Sequence, residues 1–211
     1  MEEQNDHLKT LTEIRTLMET STRFLSLSGL SGIFAGSFAL VGAVAAYFFL
    51  NLGLGSDNYF SFIFSNNRFN ISTLMFFISD ALSVLLLALL FGYYFTARNA
   101  RKKGQPIWNK TVKKLVINLF IPLIAGGIFC LALLFHHTVY LIAPCMLIFY
   151  GLALINASKF TFSVVRYLGL SEMLLGLAAC YMIGYGLLFW ALGFGVLHIV
   201  YGIVMYNKYE R

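Results

Sequence analysis

Polar and apolar positions follow one another along this chain in long blocks, without the short alternation of a half-buried strand. Six apolar stretches, at about residues 26–50, 71–97, 115–135, 139–156, 170–183 and 187–206, are separated by short polar breaks. At 1.5 Å per residue, about 20 residues in a helix cross a hydrocarbon core of about 30 Å. The pattern predicts an all-α integral membrane bundle of six transmembrane helices, occupying residues 26–211. The stretch 170–183 is short for a span unless its helix begins inside the preceding polar break. Gly184-Tyr185-Gly186 marks the hairpin turn between the last two spans.

Residues 1–25 follow a different rule. Leu11, Ile14, Met18 and Leu25 recur at helical spacing, Thr10 and Glu13 fit a capping box, and Lys9 with Glu13 forms an i, i+4 pair. A cytoplasmic amphipathic helix is expected. It suits the headgroup region, a partner helix, or a solvated lead-in to the first span.

Charge orients the bundle. The run Arg98–Lys114 holds almost half of the 15 Lys and Arg, and short basic loops stay on the cytoplasmic side during insertion. With both termini inside, every Lys and Arg except Arg68 falls on that side. Only 11% of the residues are charged, against roughly 25% in soluble domains, so the net charge of +6 belongs to loops beside lipid. Anionic lipid at Arg98–Lys114 is the expected partner, at about 1 kcal/mol per basic residue, and nucleic acid is not. The connection 51–70 carries Tyr59, Phe60, Phe62, Phe64 and Phe69, which suit the opposite headgroup zone.

Within the spans, three groups of residues carry meaning. Ser28, Gly32 and Gly36 form a small-residue packing face on span one, open to another helix or to a second copy of the chain. Asp80 lies some 14 Å into span two, where a charge costs several kcal/mol, with Thr73 and Ser83 on its face. His198 lies at a similar depth in span six, so Asp80 and His198 are the candidate pair for relaying protons or holding a small cation. Pro122 cannot donate to the carbonyl of Asn118, which predicts a kink and a free acceptor, and Pro144 interrupts span four near its outer end. Glu172, six residues after Arg166, is expected at the interface in a weak ion pair.

The remaining chemistry is sparse. His136 and His137 form a tight outer turn and, with His198, are the only imidazoles available to a haem or metal inside the bundle. Cys130, Cys145 and Cys180 fall inside apolar stretches with no C-x-x-C spacing, which suits small core fillers better than a zinc site or disulfide framework. No metal site and no cofactor are predicted. Gly193-Phe194-Gly195 with His198 is a near miss to a dinucleotide fingerprint, but no strand precedes it. Gly126 to Cys130 and Gly176 to Cys180 share one spacing, as do Tyr150-Gly151 with Asn156 and Tyr201-Gly202 with Asn207. Related hairpins, with Phe91-Gly92 as a third copy, would explain this, and so would chance in Gly-rich and Tyr-rich helices.

The segment RFLSLSGLSGIFAG, Arg23–Gly36, preceded by EIRTLMETST, resembles the opening of a group of uncharacterised small bacterial polytopic membrane proteins. The resemblance covers roughly the first fifty residues and implies a bacterial inner membrane, with no activity attached. Three function classes follow. The first is a non-enzymatic protein that packs, oligomerises or signals. The second is a small-solute or proton-coupled transporter or channel using Asp80 and His198, with Pro122 and Pro144 as hinges. The third is a membrane enzyme or haem protein using His136, His137 and His198.

Overall fold

The computed structural model describes residues 23–49 and 71–211, and only the backbone of 71–74. The expected N-terminal helix, the aromatic connection of 51–70 and the Thr73 side chain lie outside the described residues. Among the described residues six helices form the fold: α1 (Gly29–Phe49), α2 (Ile71–Lys102), α3 (Lys110–Phe135), α4 (Ile142–Ala157), α5 (Ser163–Tyr181) and α6 (Gly186–Tyr209). With the 3-10 turns that flank α4, all six are long and apolar enough to cross a membrane. The protein is a multi-pass, all-α membrane protein.

Three helix boundaries differ from the hydropathy pattern for the same reason. Backbone hydrogen bonding does not stop where hydropathy falls, so helices run on until a cap ends them. α5 begins at Ser163, seven residues before the apolar stretch. The basic run is mostly helical, with Arg98, Arg101 and Lys102 in α2 and Lys110, Lys113 and Lys114 in α3. Gly104, at φ +61°, lets Gln105 N–H reach the Ala100 carbonyl and closes α2. Asn109 then opens α3 by accepting from Val112 N–H at 2.8 Å.

Pro122 lies inside α3, and the carbonyl it leaves free, that of Asn118, accepts from Asn156 Nδ2 on α4 at 2.9 Å. A side chain of the neighbouring helix thus fills the gap in the ladder. Pro144 sits in the first turn of α4, after the 3-10 turn Val139–Leu141, where no intrahelical N–H bond is needed. It therefore starts that helix and does not break it.

The helices pack in an open series. α2 lies on α1, α1 on α6, α6 on α4 and α5, α4 on α5, and α3 on α4. Phe34 stacks on Phe91 and Phe95, with Phe34–Phe95 centroids 5.0 Å apart, and Phe38 meets Phe91 edge-on, which holds α2 to α1. α2 exposes Leu82, Leu85, Leu86, Leu89 and Leu90, an apolar surface suited to lipid.

Two seams are built alike. A Cβ placed on Gly151 of α4 would stand 2.6 Å from Gly169 O and 2.7 Å from Met173 N of α5. One placed on Gly202 of α6 would stand 2.6 Å from both Gly29 O and Ile33 N of α1. In each seam the glycine meets the carbonyl of a facing glycine and the amide four residues later. Gly176 and Gly36, each seven residues beyond that facing glycine, then abut Ile148 and Ile199, each three residues before Gly151 and Gly202. The α4–α5 seam and the α1–α6 seam thus repeat one geometry, with Tyr150-Gly151 matched to Tyr201-Gly202. Gly92 of α2 meets nothing within 4 Å, so Phe91-Gly92, the third copy expected from the sequence, makes no seam of this kind.

The basic end of the bundle is tied by the extended segment Phe24–Ser28. Phe24 N–H donates to Phe160 O at 2.8 Å, and Thr161 Oγ1 donates to Phe24 O at 2.8 Å. Asn99 Nδ2 donates to the carbonyls of Ser26 and Leu27, each at 3.2 Å, and Ser26 Oγ donates to Gln105 Oε1 at 2.6 Å. Glu210, from the C-terminal end of α6, accepts from Ser28 Oγ at 3.0 Å and from Gly29 N–H. A carboxylate at a helix N-terminus satisfies an orphan donor and the positive end of the helix dipole. Glu210→Ala is therefore expected to cost about 1 kcal/mol of stability. Thermal unfolding in detergent checks it, and Glu210→Gln should lose less because its amide oxygen still accepts.

Candidate functional site: a buried Tyr–His–Glu cluster at mid-membrane

Three helices bring one polar cluster to the middle of the bundle. Tyr150, Glu172 and His198 each lie near the midpoint of their apolar helix, in Val139–Phe160, Ser163–Tyr181 and Gly186–Tyr209. Glu172 is fully buried and His198 is 7% exposed. The Tyr150 hydroxyl and His198 Nε2 are 2.8 Å apart, and their rings stack with centroids at 5.4 Å. His198 Nδ1 lies 3.0 Å from the Gly193 carbonyl and 3.3 Å from Glu172 Oε1.

These distances assign the imidazole hydrogens. A carbonyl only accepts, so Nδ1 carries a hydrogen and donates to Gly193 O. Nε2 then either accepts from the Tyr150 hydroxyl, when the ring is neutral, or donates to its oxygen, when the ring is an imidazolium. The carboxylate keeps an ionic contact with Nδ1, yet neither of its oxygens has a hydrogen-bond partner among the described residues. An ionised carboxylate in lipid-surrounded protein is costly alone, and the His198 imidazole is the group among the described residues placed to offset it.

Local backbone makes the approach possible. Residues Ala191–Leu197 form a π-helical segment directly before His198, a widened turn that often marks functional positions. A Cβ on Gly193 would stand 2.5 Å from Glu172 Oε2, so glycine is what lets the carboxylate of α5 reach the backbone of α6. Phe194, in the same segment, lies against Tyr150 with centroids 5.0 Å apart.

The other residues singled out in the sequence go elsewhere. Asp80 is half-buried on α2 beside Gly42 and Val84, and no hydrogen bond or ion pair joins it to the described residues. α2 packs on α1, so Asp80 and His198 are not brought together. Ser83 Oγ donates to its own helix at Ser79 O, 2.7 Å, and Asn118 Nδ2 to Lys114 O, 2.8 Å. Ser28, Gly32 and Gly36 are buried inside the chain, the glycines of that face meeting Gly202, His198 O, Gly195 and Ile199 of α6. His136 and His137 stay in the α3–α4 turn, His137 at φ +58°. Both nitrogens of His198 are engaged by protein groups, and no group of three or more His, Cys, Asp or Glu able to hold a metal occurs among the described residues.

Glu172 overturns an expectation. Because α5 starts at Ser163, the residue sits a full nine positions inside the helix and not at the interface. The ion pair expected with a surface base is replaced by one with a buried histidine. Compared with family models, curated proteins and solved structures, the chain matches none.

Proposed function

We propose that the protein is a proton-coupled transporter or channel for a small solute, with Glu172, His198 and Tyr150 as its proton-binding centre. One observation carries this reading: a fully buried carboxylate at the midpoint of an apolar helix, in ionic contact with an imidazole and with no hydrogen bond to either oxygen among the described residues. Intramembrane ionisable residues are expensive, and a protein that needed only polar glue would have satisfied both oxygens. The alternative of a packing or oligomerising protein has less support, since the small-residue face of α1 is already occupied by α6. The same proposal puts both termini on the cytoplasmic side, on the strength of the Lys and Arg distribution, in a bacterial inner membrane, as the resemblance of Arg23–Gly36 implies.

The test is proton flux into proteoliposomes carrying a trapped pH-sensitive dye, with the membrane potential clamped. Wild type should dissipate an imposed pH gradient faster than empty vesicles. Glu172→Gln should return the rate to that of empty vesicles while the protein still elutes as a folded species, and Asp80→Asn should leave it near wild type. Wild-type flux equal to that of empty vesicles, or full flux in Glu172→Gln, defeats the proposal.

A further inference from the structure

The α3–α4 hairpin brings two thiols face to face. Cys130 Sγ and Cys145 Sγ are 3.5 Å apart. Their pairing follows from the hairpin register: Gly126 faces Phe149, with a Cβ on the glycine only 2.5 Å from Phe149 Cβ. One turn onward along α3 and one turn back along α4 gives Cys130 and Cys145. The contact therefore belongs to a tightly packed seam whose register the short turn at His136–His137 fixes.

The pair lies near the hairpin turn. α3 has 26 residues, and Cys130 lies five residues before its end. It is partly exposed on the surface of the bundle, whereas Cys145 is 6% exposed. Cys130 is therefore the thiol open to a small reagent, and Cys145 reacts through it.

We propose that Cys130 and Cys145 form a reversible disulfide, made by exchange with a small disulfide arriving at the membrane face where the turn emerges. The Cys130 thiolate attacks one sulfur of the small disulfide, which breaks its S–S bond and releases one small thiol. Cys145 then gives up its proton and attacks the Cys130 sulfur, releasing the second small thiol. Two protein thiols are oxidised, one small disulfide is reduced to two thiols, and no other reactant is needed. The new bond closes a short loop and fixes α4, which carries Tyr150, against α3. This site is independent of the proton-coupled reading.

The experiment uses the purified full chain in lipid nanodiscs, treated with oxidised glutathione, quenched, denatured and labelled with a mass-tagged maleimide. Untreated protein should take three tags, matching its three cysteines. Oxidised protein should take one, regain all three after dithiothreitol, and yield a Cys130–Cys145 cross-linked peptide by mass spectrometry. Cys180→Ser should still lose two tags, while Cys130→Ser and Cys145→Ser should form no intramolecular bond. Retention of all three tags in the folded protein, a bond involving Cys180, or cross-linking between chains overturns the proposal.

Discussion

His198→Ala is expected to destabilise the bundle by about 3–5 kcal/mol, the usual cost of stripping the partner from a buried charge. Among the described residues Glu172 has no second partner to turn to: both its oxygens are buried and without a hydrogen bond, and His198 makes the ionic contact. Glu172→Gln alone should cost less, because it removes the charge together with the need to balance it. The double variant Glu172→Gln/His198→Ala should therefore be more stable than His198→Ala, an inversion of the usual ordering of single and double variants. Thermal unfolding followed by circular dichroism in detergent provides the comparison. A double variant whose loss equals the sum of the two single losses would show that the two side chains do not interact, since coupled neighbours depart from additivity by about 0.5–3 kcal/mol.

The six spans were legible because lipid imposes a coarse rule that a single sequence obeys block by block. Counting along the helix put His198 near the midpoint of α6, and the helix bounds agree. Position along one helix does not say which neighbour it meets, however. Asp80 stands on α2 beside Gly42 of α1, ten residues along that helix from Gly32, which meets His198 O, so the structure does not bring the two together. Glu172 was missed for a different reason. Its span was bounded by hydropathy at residue 170, whereas the helix starts at Ser163 and carries the carboxylate about 10 Å deeper than supposed.

The thiol pair was hidden by separation. Fifteen residues part Cys130 from Cys145, and only the hairpin register through His136–His137 sets them opposite. The acceptor freed by Pro122 was readable from proline chemistry, but its donor, Asn156, required the neighbouring helix. The repeated Tyr-Gly spacing proved informative in a way that composition alone did not decide. Gly151 and Gly202 fill equivalent places in two seams, while Gly92, which follows Phe91 in the related dipeptide, fills none. A dipeptide indicates a possible seam, and the facing glycine realises it.

That distinction sets the second large effect. Gly202→Ala is expected to destabilise by about 2–3 kcal/mol and Gly92→Ala to be neutral or stabilising by up to about 1 kcal/mol, though the two substitutions are chemically identical. At Gly202 the new methyl would stand 2.6 Å from Gly29 O and Ile33 N, both backbone atoms that cannot rotate away. Relief requires α1 to move off α6, which also disturbs the Gly36–Ile199 contact and the Glu210 cap on Gly29. At Gly92 no atom lies within 4 Å, so the methyl enters lipid and alanine only improves helix propensity. Because His198 lies one turn before Gly202 on α6 and its carbonyl also meets α1, at Gly32, separation of α1 should loosen the polar cluster as well. Gly202→Ala is then expected to reduce proton flux along with stability. Equal melting temperatures for Gly202→Ala and Gly92→Ala would mean that α1 and α6 do not meet backbone to backbone at this seam.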